Sequence, residues 1–360
     1  MTVTLLCSGV ALGVYVPALL LEHQLRTRGL DTEVVVLENL LLPDKKARLR
    51  ANKRAFHGSF AVALAGQKLA RPIAPSLDPA QVAALTSRWR AQGRRRFLLF
   101  SGFWLPLVEE FASTLEVPPC VDLCFMDAAT SVSWRVAGKA VERHPQHTLF
   151  ESDRIRCTLD FSREPPPAWE DRADRLVVHG GGWGMGTYRE IPEALSATAW
   201  GLDVVAYEDD EVVPPTPRRR TYRVDPAWNP WDQDASGRHT LPPLGEVGTG
   251  RPADFSTRRD RHGLFELALG VRAIVSKPGG ATLLDSLTSA TPLVTLAPFG
   301  DYEQRNADLW QSLGLGLPWE DWAATGFAVE PLRACYERLL VARAEAPSFV
   351  DLYLQELRGA

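Results

Sequence analysis

Ala273-Ile-Val-Ser-Lys-Pro-Gly-Gly-Ala-Thr-Leu-Leu-Asp285 is an apolar run, a glycine pair and the start of a helical pattern, in that order. A strand that leads through a glycine turn into a helix is typical of phosphate binding, because the bare backbone approaches the anion and the amides and positive dipole end of the helix face it. The segment therefore predicts a nucleotide-phosphate site in an α/β domain. A glycine turn without any ligand is the alternative that the pair alone leaves open.

Side chains in and beyond this segment suit the other parts of a nucleotide ligand. Asp285 lies about one helical turn beyond Thr282, so its carboxylate can accept hydrogen bonds from a ribose diol while Thr282 caps the helix or contacts phosphate. Glu303 and Gln304 follow the next predicted strand, and their carboxylate and amide suit neighbouring sugar hydroxyl groups. These residues are candidates for binding contacts.

A second glycine-rich loop, His179-Gly-Gly-Gly-Trp-Gly-Met-Gly186, follows another apolar run. Its glycines permit a close approach of backbone to ligand, and a further predicted helix begins after it. We predict that Gly181, Gly182 and Gly184 contact phosphate or face a cleft, with a plain turn as the alternative. His179 is interpreted as a packed or orienting histidine.

The chain opens in the same manner. Val3–Cys7 has the pattern of a buried strand, Ser8–Val16 of a glycine loop, Pro17–Gly29 of a helix and Thr32–Leu37 of a second strand. Strand, helix and strand in this order indicate a βαβ unit, and therefore a parallel sheet with right-handed crossovers. Further strands are predicted at Arg96–Phe100, Val121–Met126, Arg175–Val178, Val204–Tyr207, Arg219–Val224, Ala273–Ser276 and Leu293–Ala297.

A proline-rich connector divides the chain into two α/β domains. Three successive prolines with flanking charges in Phe161–Glu170 make a stiff linker rather than the interior of an element. We therefore predict an N-terminal domain over residues 1–165, a C-terminal nucleotide-binding domain over 166–345, and a terminal helix over 346–360 for which a return to the first domain is left open. The stretch 225–261 lacks a clear period and is interpreted as a lid or an unrecognised element.

The composition narrows the class of protein. With 45% hydrophobic and 23% charged residues and a net charge of −4, the 360-residue chain is an ordinary globular protein, and we expect no nucleic-acid partner. The five cysteines lack the spacing of a zinc site or a disulfide framework, so we expect no metal site and a cytoplasmic location. The apolar start, Val3–Leu21, is interrupted by glycine and proline and lacks a basic leader, which argues against a signal or membrane helix.

Together, these segments resemble the donor-binding region of GT-B glycosyltransferases, especially the group of peptidoglycan N-acetylglucosaminyltransferases and monogalactosyldiacylglycerol synthases. The family pattern is Gly-Gly/Ala-x-Thr-x-x-Glu, a Pro, and then Gln-x-x-Asn-Ala. This chain departs from it at Asp285, where the family has Glu, and after Gln304, where the spacing is one residue shorter. The resemblance implies that Asp285 contacts the ribose and that Glu303 and Gln304 contact the transferred sugar. It implies contacts to the diphosphate from Ser276, Gly279, Gly280, Ala281 and Thr282.

The resemblance also implies a fold and a place for the reaction. GT-B proteins consist of two Rossmann-like domains that face each other across a cleft, and a glycine loop like Gly180–Gly186 opens their second domain. Their first-domain loop matches Gly9 and Gly13 on the acceptor side, but Val14 stands where the family has a histidine, the usual candidate for the general base. Asp127 follows a predicted strand and is the replacement candidate for catalysis, with a cap of the next turn as its alternative role.

The function that this resemblance implies is transfer of a sugar from a nucleoside-diphosphate donor, with uridine as the expected base, to a small-molecule acceptor of specialised metabolism. Such a reaction requires no cofactor beyond the nucleotide sugar and no metal. Nucleotide-sugar epimerases and hydrolases share the fold, and Val14 keeps them open as alternatives. A lipid acceptor at a membrane surface is a further alternative because Lys45–Arg54 is basic, although a solvated helix face is the favoured interpretation of those charges.

Overall fold

The computed structural model describes residues 2–159, here called the N-terminal half, and residues 164–359, here called the C-terminal half. The strands in these residues are β1 (Thr2–Cys7), β2 (Asp31–Val36), β3 (Arg96–Leu99), β4 (Cys120–Phe125), β5 (Gln146–Thr148), β6 (Ala173–His179), β7 (Gly201–Ala206), β8 (Arg219–Val224), β9 (Leu244–Val247), β10 (Val271–Ser276), β11 (Leu293–Thr295) and β12 (Gly316–Pro318). The α-helices are α1 (Leu12–Thr27), α2 (Pro43–Gly58), α3 (Phe60–Lys68), α4 (Pro79–Ala91), α5 (Leu105–Ser113), α6 (Val132–Ala137), α7 (Ile191–Ala194), α8 (Gly263–Leu269), α9 (Gly280–Ser289), α10 (Asp301–Ser312), α11 (Trp319–Ala324), α12 (Glu330–Glu345) and α13 (Phe349–Gly359).

Each half is built on one sheet of mainly parallel strands. The N-terminal sheet has the order β2-β1-β3-β4-β5, and the C-terminal sheet has the order β12-β11-β10-β6-β7-β8-β9, in which β8 and β9 pair antiparallel. Central strands such as β1 and β7 are buried along nearly their whole length, because a parallel sheet is covered on both faces. The predicted α/β architecture with two Rossmann-like sheets is confirmed.

The first helix begins earlier than its sequence pattern predicts. α1 starts at Leu12, inside the predicted loop Ser8–Val16, so Gly13 and Val14 lie in its first turn rather than in a loop. The sequence pattern predicts that the helix starts at Pro17, because proline is common in the first turn of a helix. Pro17 is instead the sixth helical residue, where its missing N–H leaves the Gly13 carbonyl without a helical donor.

The last helix returns to the N-terminal half. Phe349 and Tyr353 of α13 each lie 5.7 Å, between ring centroids, from His147, and the Tyr353 hydroxyl donates a 3.2 Å hydrogen bond to Asp122 of β4. The predicted linker Phe161–Glu170 begins outside the described residues. The domain boundaries at residues 165 and 345 stay a prediction.

The connection between β8 and β9, residues 225–243, crosses to the N-terminal half, and we call it the strap. Arg238 of the strap donates hydrogen bonds of 2.6 and 2.8 Å to the two carboxylate oxygens of Glu22 in α1. The Tyr15 hydroxyl donates a 2.9 Å hydrogen bond to the Thr240 carbonyl, and its ring packs against Trp228 with the centroids 5.9 Å apart. The stretch 225–261, in which no sequence period was found, thus contains both the strap, which is held by contacts with the opposite half, and the unrecognised strand β9.

Helices α2 and α3, which we call the roof helices, reach the C-terminal half at a second place. His57 donates a 2.8 Å hydrogen bond from Nδ1 to the Gly184 carbonyl, and Gln67 donates a 3.0 Å hydrogen bond to the Phe299 carbonyl. Every residue of α2 is at least partly exposed, in keeping with the solvated face that we favoured for its basic residues. The strap and the roof helices thus both join the two halves.

We expect Arg238→Gln to lower the free energy of unfolding by about 1–2 kcal/mol, because it removes a charged hydrogen-bond donor from Glu22, whose side chain is only 9% exposed. The strap should also be cleaved faster by protease. Urea denaturation and limited proteolysis measure the two effects. The matched control is Arg154→Gln in an exposed pair with Glu151, where we expect no measurable loss. Equal losses in both variants would contradict a stabilising role for the strap contact.

Candidate functional site

A cavity of about 490 Å³ lies between the two halves. It includes residues that follow β1, β4, β6 and β10 directly, at the carboxyl ends of the two parallel sheets, where open α/β sheets bind their ligands. The sequence-predicted site residues that line it are Gly13, Val14, Asp127, Gly181, Gly182, Gly279, Gly280, Ala281, Thr282, Asp285 and Glu303. The structure thus brings both glycine loops and the candidate carboxylates into one cavity.

Gln304 does not reach this cavity. Its side chain is exposed and donates a 2.8 Å hydrogen bond to Asp308 on the same helix, α10. Asn306, two residues later, is fully buried. Residues two apart in a helix lie on different faces. Because Gln304 and Asn306 are two apart rather than three, Gln304 points outward when Asn306 points inward. The sugar contact predicted for Gln304 is absent from this arrangement.

Three further predicted residues lie behind the cavity wall rather than on it. The Gly9 amide donates a 2.7 Å hydrogen bond to Glu38, and a side chain at Gly9 would collide with Pro230 of the strap. The Gly184 carbonyl accepts from His57 of the roof helices, and Ser276 is completely buried at the end of β10. These residues support the positions of the loops.

Asp127 joins the two halves at the glycine turn. Its Oδ1 accepts a 3.1 Å hydrogen bond from the Gly280 amide, at the start of α9, and one of 2.8 Å from the Asn306 side chain. Asn306 also donates to the Pro278 carbonyl and accepts from the Ala128 amide, at 2.8 and 2.7 Å. A carboxylate therefore occupies the helix N-terminus at which the sequence predicts phosphate binding.

Burial raises the pKa of Asp127 to about 6. The Asn306 hydrogen bond lowers this pKa, the nearby Glu303 raises it, and Lys277 and the Gly280 amide lower it. A carboxyl group with a pKa close to neutral can take up and release a proton under physiological conditions. The catalytic role of Asp127 stays a prediction, with which this pKa agrees.

Lys277 is a cavity residue that sequence reasoning missed. Its ammonium group donates a 2.5 Å hydrogen bond to Glu303 Oε1, and Glu303 Oε2 accepts a 2.6 Å hydrogen bond from the Phe299 amide. Both side chains are more than nine-tenths buried. A lysine directly before Pro-Gly-Gly at a predicted phosphate turn is the sequence signal that could have found it.

Asp285 already has a partner in the cavity. His262, which precedes α8, lies with Nε2 2.9 Å from Asp285 Oδ1, and both residues are buried. A histidine that binds one carboxylate oxygen leaves the other for a ligand. The ribose contact predicted for Asp285 stays a prediction, and His262 is the residue that orients it.

No family model and no curated protein matches the sequence, but solved structures match along the whole chain. The glycosyltransferase VinC in complex with dTDP superposes with a TM-score of 0.56 at 12% identity, over 99% of both chains. The Streptomyces sp. SF2575 glycosyltransferase SsfS6, complexed with thymidine diphosphate, gives 0.54 at 13% identity over 100% of both chains. MurG of Acinetobacter baumannii gives 0.53 at 13% identity over 99% of this chain and 98% of its own. The chain has the GT-B fold.

In this GT-B fold, a buried carboxylate supports the loop that leads into Val14. Glu38 accepts hydrogen bonds from the Ser8 hydroxyl at 2.6 Å and from the Gly9 and Val10 amides at 2.7 and 3.2 Å. Burial raises the pKa of Glu38, while these hydrogen bonds lower it. All three donors belong to the loop, so Glu38 fixes the loop. Glu38 is therefore not available as a general base in place of the histidine that Val14 replaces.

One Asp-x-Asp sequence, at Asp232 and Asp234, is present in the chain. It lies in the strap, where Asp234 bonds Ser236 and Arg259 and does not line the cavity. Among residues 2–159 and 164–359, no cluster of three or more acidic, histidine or cysteine side chains has the arrangement of a metal site. None of the helices described in these residues is long and apolar enough to span a membrane.

Proposed function

We propose that this protein is a glycosyltransferase that moves a sugar from a nucleoside-diphosphate donor to a neutral small-molecule acceptor. The observation that carries the proposal is the position of Asp127. This carboxylate has a near-neutral pKa and lies at the glycine turn of the C-terminal half. A base and an anion-binding turn at one point are what transfer from a diphosphate requires.

The reaction that we propose uses the residues of both walls. Asp127 accepts the proton of an acceptor hydroxyl as its oxygen bonds the anomeric carbon of the sugar and the bond from that carbon to the diphosphate oxygen breaks. The leaving diphosphate keeps the bonding electron pair, and the first turn of α9, with the Ala281 and Thr282 amides, stabilises its charge. The nucleotide sugar is the co-substrate, and the proposal includes no other cofactor.

The chemistry of the walls supports a neutral, apolar acceptor. Among the described cavity residues from the N-terminal half, Asp127 is the only ionisable side chain, and apolar ones such as Leu12, Val132 and Phe103 predominate. The ionisable groups from the C-terminal half are His179, His262, Lys277, Asp285, Glu303, Tyr207 and Tyr302. We therefore place the acceptor among small hydrophobic molecules, as in specialised metabolism, and the donor against the second wall.

A thermal-shift screen tests the donor class. We expect uridine or thymidine diphosphate to raise the melting temperature by several degrees, because a ligand at about 100 times its Kd stabilises a protein by about 2.7 kcal/mol. Both bases are tested, since two of the similar structures were determined with thymidine diphosphate. An adenine dinucleotide serves as the control. Stabilisation by the dinucleotide and by neither diphosphate would contradict the proposal.

The second candidate function is that of an epimerase or hydrolase of the same fold, which Val14 in place of histidine keeps open. Incubation with a nucleotide sugar and no acceptor distinguishes sugar transfer from these reactions. A transferase should consume the donor slowly until an acceptor is added. Rapid turnover of the donor alone would replace the proposed reaction with the second one. Nuclear magnetic resonance of the sugar product distinguishes an epimer from a free sugar.

A further inference from the structure

His179 is a buried histidine to which the proposed reaction gives no role. It ends β6, lines the cavity and is only 2% exposed. Its Nδ1 accepts a 3.1 Å hydrogen bond from the Gly181 amide and lies 3.3 Å from the Ser276 hydroxyl. Because a backbone N–H always donates, Nδ1 carries no proton, and the ring proton of the neutral form is on Nε2.

The Nε2 atom of His179 is buried and has no hydrogen-bond partner among the described residues. Burial lowers the pKa of His179 to about 3, and the charges of Lys277 and His262 act in the same direction, so the ring is neutral at physiological pH. A buried donor without a partner destabilises a protein by about 1–3 kcal/mol, and His179 Nε2 belongs to a residue that lines the cavity, where a ligand can supply the acceptor.

Lys277 lies beside His179, since Ser276 is paired with His179 across adjacent strands. A side chain at Gly181 would come within 2.9 Å of Lys277 Cε, and one at Gly279 would come within 3.6 Å of its Nζ. Gly181 also has a φ of +71°, which glycine adopts without strain. Both glycine loops therefore close around one lysine, and it is the only lysine or arginine among the described residues that line the cavity.

Glu303 is fully engaged as the partner of this lysine. One of its oxygens accepts from Lys277 and the other from the Phe299 amide, so each oxygen already has a donor and the side chain is held in one orientation. A carboxylate held in this way is poorly placed to bind sugar hydroxyl groups, the role that the family resemblance implies. It is well placed to hold an ammonium group in one position inside the protein.

Resting on the proposed function, we propose that Lys277 and His179 hold the diphosphate of the donor, and that Glu303 positions Lys277 instead of binding the sugar. His179 donates its Nε2–H to a phosphate oxygen, and Lys277 shares its ammonium group between Glu303 and the phosphate. A diphosphate, with two phosphoryl groups, uses both donors, whereas a monophosphate engages one.

Calorimetric titration with UDP, UMP and uridine tests this assignment. The variant Lys277→Met/Glu303→Gln removes both charges and so avoids an unpaired buried carboxylate. We expect its affinity for UDP to fall about 10–100-fold and its affinity for uridine to change less than about threefold. We expect His179→Phe to lose about tenfold for UDP, and His179→Gln, which keeps a donor, to recover most of that loss. A merely structural role would lower all three affinities together.

Glu303→Gln distinguishes the two roles of Glu303. If it positions Lys277, the loss of this ionic partner should weaken UDP binding severalfold, because the ammonium group is no longer held toward the phosphate. If it contacts the sugar, UDP affinity should stay unchanged and only the KM of the nucleotide sugar should rise, which would overturn that part of the proposal. The controls are Lys53→Met and His239→Gln, outside the cavity, where no change is expected. Failure of the wild-type protein to bind these three probes and thymidine diphosphate would refute the proposed function itself, whereas wild-type binding with unchanged variants would refute only this inference.

Discussion

Asp127→Asn is expected to lower kcat by about 10²–10⁴-fold, the usual contribution of a general base. Asparagine keeps the shape and can still accept from the Gly280 amide, so the junction between the halves and the affinity for nucleoside diphosphate should persist. Steady-state kinetics and calorimetry measure the two quantities. A kcat within about threefold of wild type would assign Asp127 to the junction alone.

The pH dependence gives a second test of Asp127. Only the ionised carboxylate can accept a proton, so kcat/KM of the wild-type protein should rise as pH rises through about 6, whereas the asparagine variant should show no such rise. Glu303 and Lys277 face this carboxyl group with opposite effects on its pKa. Their variants should therefore move the midpoint, down without Glu303 and up without Lys277.

The same substitution should make the protein more stable in mild alkali. The folded pKa of about 6 lies above the ordinary value of 3.8, so the folded state binds the proton more tightly than the unfolded state and loses stability as pH rises between these values. Asparagine cannot ionise, and at pH 8 we expect a gain on the order of 2 kcal/mol. Asp122→Asn, in the strand that precedes Asp127 but outside the cavity, is the control and should gain no stability and lose no kcat.

Gly280→Ala is expected to lower kcat/KM by about 100-fold or more. A β-carbon there would lie 2.2 Å from the Met126 carbonyl oxygen and 2.9 Å from Asp127 Oδ1, and a backbone carbonyl cannot rotate away as a side chain can. The turn must then move away from the end of β4, and a displacement of about 1 Å at a reacting site reduces rates by about 10²-fold. Kinetic assays and urea denaturation, in which we expect a loss of about 1–3 kcal/mol, check the result.

Gly58→Ala is the matched control for this glycine. It ends α2, and a β-carbon there meets nothing within 4 Å. Its activity should stay within about twofold of wild type, because nothing has to move. Comparable losses in both variants would show that general sensitivity to alanine, and not the contact at Met126, explains the effect.

The parts of the fold that depend on local pattern were predictable. β8 was predicted with its observed limits, Arg219–Val224, and the strand, glycine turn and helix from Ser276 to Asp285 form as expected. In each case, burial and turn chemistry are set by residues close together in sequence. The sequence therefore sufficed for the architecture and for the anion-binding turn.

The parts that depend on distant contacts were not predictable. Glu303 looked like a free sugar-binding carboxylate because its partner, Lys277, precedes it by a whole strand and helix. Gln304 was given the same role as Glu303, but its side chain points outward from α10. The strap shows no sequence period because contacts with the opposite half determine its conformation. Pattern reasoning identifies which residues can do chemistry, but only packing shows which of them are already engaged.

The strap also bears on attempts to build hybrid enzymes by exchanging halves between GT-B proteins. Such an exchange would leave Glu22 opposite a loop from another protein, without Arg238. It would also separate Trp231 from the Lys46 ammonium group, which lies 5.5 Å from the centre of its ring. Recombination at the linker alone would therefore divide a pair of complementary surfaces. A viable hybrid has to inherit α1 and α2 from the same parent as residues 225–243, so the unit of exchange in this protein is discontinuous in sequence.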